Sequence, residues 1–127
     1  MTYNTGTTIY AESVADVEIK IEYKVVQNCD ITFRIDHEKV KGDRNTICLK
    51  SCSKKSHDNY IVKIRTSGEN ANDGWKIELL EINDSRYSLD GKVPQFWIDG
   101  DKGGSYDAPL CFGEEWCELK KIGKFSF

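Results

Sequence analysis

Proline is scarce, with two in 127 residues, Pro94 and Pro109. Few prolines leave regular strands unbroken. Histidine is equally scarce, at His37 and His57, which narrows the acid–base and metal chemistry open to the chain. No G-x-S-x-G, H-E-x-x-H or glycine-rich phosphate loop occurs, so the signatures of those hydrolases, metalloproteases and nucleotide enzymes are missing. Uncharged apolar runs fall far short of the roughly 20 residues that a membrane-spanning helix needs. Residues 1–18 lack the basic and apolar regions of a signal peptide. Two contexts follow: a cytoplasmic protein, or a mature secreted sequence to which Met1 was added. No internal repeat and no amphipathic helical pattern is present. The basic segment from Lys39 to Lys55 is interrupted by Asp43 and holds no aromatic for base stacking, which argues against nucleic acid as a partner.

What is present fits one domain spanning residues 1–127, long enough for a single core. The formal charge of −3 hides an asymmetry: residues 69–118 carry −8 and the remainder +5. Separated charge can orient a domain against a partner; the plainer reading is a solvated surface.

Apolar side chains alternate with polar ones along most of the chain. Val17, Ile19, Ile21, Tyr23 and Val25 alternate with Asp16, Glu18, Lys20, Glu22 and Lys24. A period of two puts the apolar set on one face of a half-buried strand. Burying each such side chain stabilises by about 1.5–3 kcal/mol, so the register is well specified. After a turn at Gln27–Asp30, Ile31, Phe33 and Ile35 predict a second strand, paired with the first as a hairpin. Residues 1–13 predict an extended arm or short edge strand. Thr46–Lys50 predicts a short strand, and Tyr60, Val62 and Ile64 predict another that ends near Thr66. The strand opened by Trp75 starts Trp75, Ile77, Leu79, but then Leu80 and Ile82 take over the apolar parity. One extra residue has that effect, so a β-bulge is expected near Leu79–Leu80. Asn83–Pro94 reads as a loop with a turn at Asp90-Gly91. Gln95–Asp99 reads as a short strand with Trp97 opposite Phe96 and Ile98, residues 100–113 as a long loop, and Trp116–Leu119 as a late strand. Seven to nine short strands at this spacing predict an all-β fold, an antiparallel sandwich or jelly-roll-like barrel.

Tyr60-x-Val62-x-Ile64, the loop Gly68–Gly74, and then Trp75-x-Ile77-x-x-Leu80-x-Ile82 with Phe96-Trp97 behind them resemble the PLAT/LH2 domain family. The likeness covers residues 60–98. The short Gln27–Asp30 turn, the five cysteines and the loop 99–113 depart from the family pattern. The resemblance implies a PLAT- or C2-like β-sandwich that serves as a noncatalytic module for lipid surfaces or protein partners, in some members calcium-responsive.

Five cysteines are present, Cys29, Cys48, Cys52, Cys111 and Cys117. In a secreted or extracellular setting they make two disulfides and one odd thiol. Cys111–Cys117 is the favoured pair, with Cys48 or Cys52 joined to another cysteine. The acidic loop Asp99–Asp107 suggests calcium, with Asp99, Asp101, Asp107 and Glu114 as candidate ligands, because hard cations need several converging oxygens. Its plain alternative is a solvated turn, and the same holds for Glu69–Asp73. Trp97, Tyr106, Phe112 and Trp116 are candidate ligand-binding aromatics; for Trp116 the alternative is a core position beside the Cys111–Cys117 bridge. Asn83-Asp84-Ser85 is a glycosylation sequon in a secreted protein.

The expected function is that of a noncatalytic binding module, probing a lipid surface, a glycan or a protein through end loops 67–74 and 99–116. The first alternative is a self-assembling structural protein that uses edge strands and an odd cysteine. The second is a small hydrolase built on Cys52 and His57, which must meet in space with an orienting group.

Overall fold

The structure is a computed structural model. It describes residues 1–6, 16–23, 31–35, 42, 44–46, 60–67, 74–82, 85–99, 106, 108–112 and 115–123, with the backbone alone for 23, 31, 33, 45 and 99. The fold is all-β, as the alternation predicts. In chain order the strands are β1 Thr2–Thr5, β2 Asp16–Tyr23, β3 Ile31–Ile35, β4 Arg44–Thr46, β5 Tyr60–Ser67, β6 Trp75–Ile82, β7 Ser85–Ser88, β8 Phe96–Asp99, β9 Leu110–Phe112 and β10 Cys117–Lys121. They pair along one continuous path, β3-β2-β5-β10-β7-β6-β1-β4, with β8 attached to β6 and β9 to β8.

The β2/β5 pairing anchors one wing of this path. Its antiparallel ladder runs from Asp16↔Ser67 to Tyr23↔Tyr60, and β3 lies on the other side of β2 as the hairpin partner. Val17, Ile19 and Ile21 of β2 and Val62 and Ile64 of β5 are at most 2% exposed, which is the outcome the alternation dictates. Val25, expected in β2, lies outside the described residues, as does the Ile47–Lys50 part of the strand that is observed as β4.

The second wing gathers around β6. Tyr3 faces Leu80 and Asn4 faces Leu79, but Thr5 faces Ile77, so the register slips by one residue at Glu78. The expected bulge is therefore present, one residue earlier than Leu79–Leu80. It lets Trp75, Ile77, Leu80 and Ile82 all point inward, each at most 1% exposed. Three expectations need correction here. First, the N-terminal strand is no edge: β1 runs between β4 and β6, because Tyr3 and Thr5 carry its inward face into the core. Second, the expected loop 83–94 contains β7, which returns along β6 with Ile82 opposite Ser85 and buries Tyr87 and Ser88. Third, the expected loop 100–113 contains β9, which pairs with β8 in parallel while the other ladders are antiparallel.

The Asp90-Gly91 turn that follows β7 is local in origin. The Asp90 carboxylate accepts from the backbone N–H groups of Lys92 and Val93 at 2.8 and 3.0 Å and from the Ser88 hydroxyl at 3.3 Å, and these bonds hold its pKa below the ordinary value. Gly91 sits at φ +73°, and a Cβ there would stand 3.1 Å from the Lys120 Cβ, so this position suits glycine on both counts.

The two wings share one contiguous core, drawn from β2, β3, β5 and β10 on one side and β1, β6, β7, β8 and β9 on the other. A sheet that buries residues from both halves together must curl over its own apolar face. β10 carries the join, pairing with β5 through Cys117↔Ile64 to Leu119↔Val62 and with β7 through Lys120↔Ser88 and Lys121↔Tyr87. A tyrosine pair reinforces it: the Tyr87 hydroxyl donates to the Tyr60 hydroxyl at 3.0 Å.

Burial, then this bond, raises the Tyr87 pKa above its ordinary 10.0, and burial raises that of Tyr3. The folded state thus favours the neutral phenols. Their contribution is complete below pH 10 and is lost as pH rises above the unfolded value toward the folded one. Thermal melts from pH 8 to 11 are expected to fall off steeply near the top of that range. Tyr87→Phe is expected to flatten the decline and to cost about 1 kcal/mol at neutral pH. An unchanged alkaline limb in that variant would remove Tyr87 as its cause.

Candidate functional site

The sequence directs attention to residues 96–119, and the structure sorts the aromatics there into different roles. In β8, Phe96 and Ile98 enter the core, and Trp97 points to the opposite face, as period two requires. That face is covered. Tyr106 meets the Trp97 ring edge-on at 5.4 Å between centroids and the Lys76 ammonium lies 5.8 Å from the ring centroid; the Trp97 backbone N–H donates to the Pro109 carbonyl at 2.8 Å. Trp97 is 6% exposed. Its ring is packed, with half-buried Tyr106 against it.

Trp116 is not in the core either. Cys117 faces Ile64 across the β10/β5 ladder, so Cys117 points inward and Trp116 points outward beside Arg65. The Arg65 guanidinium lies 4.4 Å from the indole centroid and the Lys20 ammonium 6.0 Å. Arg65 is itself fixed: its Nε–H donates to the Glu18 Oε1 at 3.2 Å, and its Nη2 lies 3.2 Å from the same oxygen. Lys20 and Lys63 each reach the Glu22 carboxylate at 3.1 Å, and these two bonds hold the Glu22 carboxyl below its usual range. Half-buried ion pairs that keep contact with solvent, as these do, contribute about 1 kcal/mol or less each. Their main effect is positional, holding two cations near one indole ring.

Phe112 has the opposite setting. It ends β9 and is 47% exposed, the most exposed large apolar side chain among the described residues, with Val93 close behind at 44%. Its neighbour Cys111 is buried and joined to half-buried Cys117 by a disulfide, with Cα atoms 6.4 Å apart. The bond closes the short segment that carries Phe112, exposed Glu115 and Trp116. The favoured pairing Cys111–Cys117 is thus brought together in space. Cys29, Cys48 and Cys52 lie outside the described residues.

The site combines a tethered backbone, one exposed aromatic and a rim of mixed charge. Among the described residues no three His, Cys, Asp or Glu side chains come together to hold a metal ion. Of the calcium candidates, Asp101, Asp107 and Glu114 and the side chain of Asp99 lie outside what is described. So do Glu69–Asp73, the sequon residues Asn83 and Asp84, both histidines and Cys52, and with them the hydrolase constellation. Among the described residues no helix is long and apolar enough to cross a membrane.

Sequence reasoning missed two features. The Arg65–Trp116 stack depends on which residue of β10 stands beside Ile64, and pairing between strands some fifty positions apart leaves no local trace. Lys76, 3% exposed, reads as outward from its place between Trp75 and Ile77. It is outward with respect to the core, but Trp97 of the paired strand covers it, since Lys76 and Trp97 are register partners. No family model matches the chain, and a search of curated proteins finds no match either.

Proposed function

We propose that the chain is a noncatalytic binding module of an extracellular or luminal setting, that it engages a protein partner, and that segment 111–117 is its contact surface. The observation that carries this reading is the exposure of Phe112 on a segment held by a disulfide. Aromatic anchors on preordered backbone lose little conformational freedom on binding, and such residues dominate interface energetics. Disulfides persist in oxidising compartments, which supports the setting.

The local chemistry favours protein over the other two ligand classes. A glycan platform needs an open ring face, and Arg65 stands over that of Trp116. An anionic lipid surface is disfavoured by exposed Glu115 and by the −8 charge of residues 69–118. The PLAT/LH2 likeness of residues 60–98 supports a binding role, since Trp75 and the bulged strand fit that pattern and protein partners belong to its repertoire. Among the described residues, calcium and self-assembly have no observation in their favour comparable to Phe112.

The test compares wild-type chain and Phe112→Ala, immobilised in oxidised form, for capture of proteins from extracellular fluid of the source. Phe112→Ala is expected to keep its stability within about 0.5 kcal/mol, as for exposed substitutions generally. It is also expected to weaken binding of the captured protein about tenfold or more. Phosphatidylserine vesicles and a glycan array serve as competing ligands. Saturable binding to either by the wild-type chain, or capture of its own copies alone, would replace the protein-partner reading.

A further inference from the structure

We propose that Asp90-Gly91 is a latent modification site: the folded turn after β7 protects it from conversion to isoaspartate, and conversion loosens β10 from β7. This is a property of the turn and does not depend on what segment 111–117 binds.

The reaction belongs to the dipeptide. An aspartate followed by glycine is open to succinimide formation because glycine places no side chain beside the attacking nitrogen. The Gly91 amide nitrogen loses its proton and bonds to the Asp90 Cγ. The Cγ–O bond of the neutral carboxyl breaks, and its hydroxyl leaves with that proton as water. The succinimide then takes up one water. Opening at Cγ restores aspartate. Opening at the former backbone carbonyl leaves isoaspartate, with the main chain running through the side-chain carbon. One water leaves and one enters, so no oxidant, reductant or further reactant is needed.

The folded turn withholds both reacting groups. The Gly91 N–H donates to the Ser88 hydroxyl at 3.0 Å, and Ser88 is 0% exposed, so water does not compete for that bond. The Asp90 Oδ1 accepts from the Lys92 and Val93 N–H groups and from the same Ser88 hydroxyl. These bonds favour the ionised carboxyl, and a carboxylate has no hydroxyl to lose. Ser88 thus holds the nucleophile and the electrophile at once. Asp90 itself is exposed, so water is at hand for the second step once the bonds open.

Conversion would strike a crowded place. A Cβ on Gly91 would stand 3.1 Å from the Lys120 Cβ and 3.3 Å from the Lys121 carbonyl oxygen. Lys120 and Lys121 are the residues through which β10 pairs with β7, opposite Ser88 and Tyr87. Isoaspartate adds one methylene to the main chain just ahead of Gly91. The β10 side has no room for it, so the added length pushes the turn outward and strains the Lys120↔Ser88 pair.

The experiment incubates the native chain at neutral pH beside the same chain in guanidinium chloride and measures isoaspartate by chromatography and mass spectrometry. Trypsin, cutting after Arg86 and Lys92, frees residues 87–92, which carry this dipeptide apart from Asp73-Gly74 and Asp99-Gly100. Conversion in the native chain is expected to be slower by roughly tenfold or more, since several hydrogen bonds must break before attack. Ser88→Ala, still folded by circular dichroism, should convert about fivefold faster than native wild type. Ile64→Ala, destabilised in the core of β5, should convert at the wild-type rate well below its thermal transition. Equal rates in native and denatured wild type would overturn the protection, and that comparison stands even where Ser88→Ala does not fold. A folded Ser88→Ala that converts no faster, or an Ile64→Ala that converts as fast as it, would take the protection away from the turn. Converted Ser88→Ala, separated by ion exchange, should melt about 3 °C or more below its unconverted form. The double variant Ser88→Ala, Asp90→Glu, whose longer side chain closes the ring far more slowly, should keep its midpoint when aged alongside. An unchanged midpoint in the converted chain would overturn the loosening of β10.

Discussion

Trp75→Ala is expected to lower the unfolding free energy by about 3–5 kcal/mol, read from the midpoint of urea denaturation at constant slope. Trp75 is fully buried at 0% exposure. Tyr3 packs against it edge-on, at 5.5 Å between centroids and 86° between planes. Its indole N–H donates to the Thr5 hydroxyl at 3.0 Å in a buried setting. Alanine removes the largest fully buried side chain and opens a cavity at the contact between β1 and β6. It also deprives the Thr5 hydroxyl, at 0% exposure, of a donor, and an unsatisfied buried polar group costs about 1–3 kcal/mol. Trp75→Phe separates these contributions. It keeps an aromatic for Tyr3 and loses the hydrogen bond, so its cost should lie well below that of alanine. A typical domain is stable by about 5–15 kcal/mol, so Trp75→Ala removes a large share of the total. A loss under 1 kcal/mol would show that β1 does not pack on β6 through this residue.

Ile64→Ala is expected to cost about 2–5 kcal/mol by the same measurement. Ile64 stands between Ile19 on β2 and Cys117 on β10 in the paired register, and its side chain is fully buried. The cavity opens at the middle strand of its wing, where backbone on both sides resists collapse. Its neighbours on the other face give the control. Lys63→Ala and Arg65→Ala remove half-buried ion pairs that keep contact with solvent and should each stay within about 1 kcal/mol. An Ile64 variant no weaker than those two would contradict the inward parity of β5.

The contrast between Ile64 and Arg65 also shows how far sequence pattern reaches. Parity is local, so the inward sets of β2 and β5 could be read from the residues alone, and a change of parity exposed the bulge in β6 to within one position. What depends on distant pairing could not be read. β7 is Ser-Arg-Tyr-Ser with one apolar residue, and it is a strand because β6 and β10 flank it. β9 is three residues beside a glycine- and aspartate-rich stretch, and it is a strand because it pairs in parallel with β8. β1 is polar by composition and owes its interior place to β4 and β6. At the candidate site the pairing Cys111–Cys117 could be anticipated from the sequence. The outward turn of Trp116 could not, since it follows from the β10/β5 register.

The place of β10 in the path sets a timetable for making the molecule. Its partners β5 and β7 precede it by dozens of residues, and among the described strands it is the one that pairs with both wings. While the chain is being synthesised, both wings emerge before the strand that joins them. Until residue 121 has left the ribosome, the rims that β10 will occupy stay open to solvent and to other nascent chains. Folding must then close pairings between distant positions, which places it among the slower small domains, in about milliseconds to seconds. The interval between emergence and closure is when this chain is most exposed to mispairing, and chaperones that shield strand rims would act there.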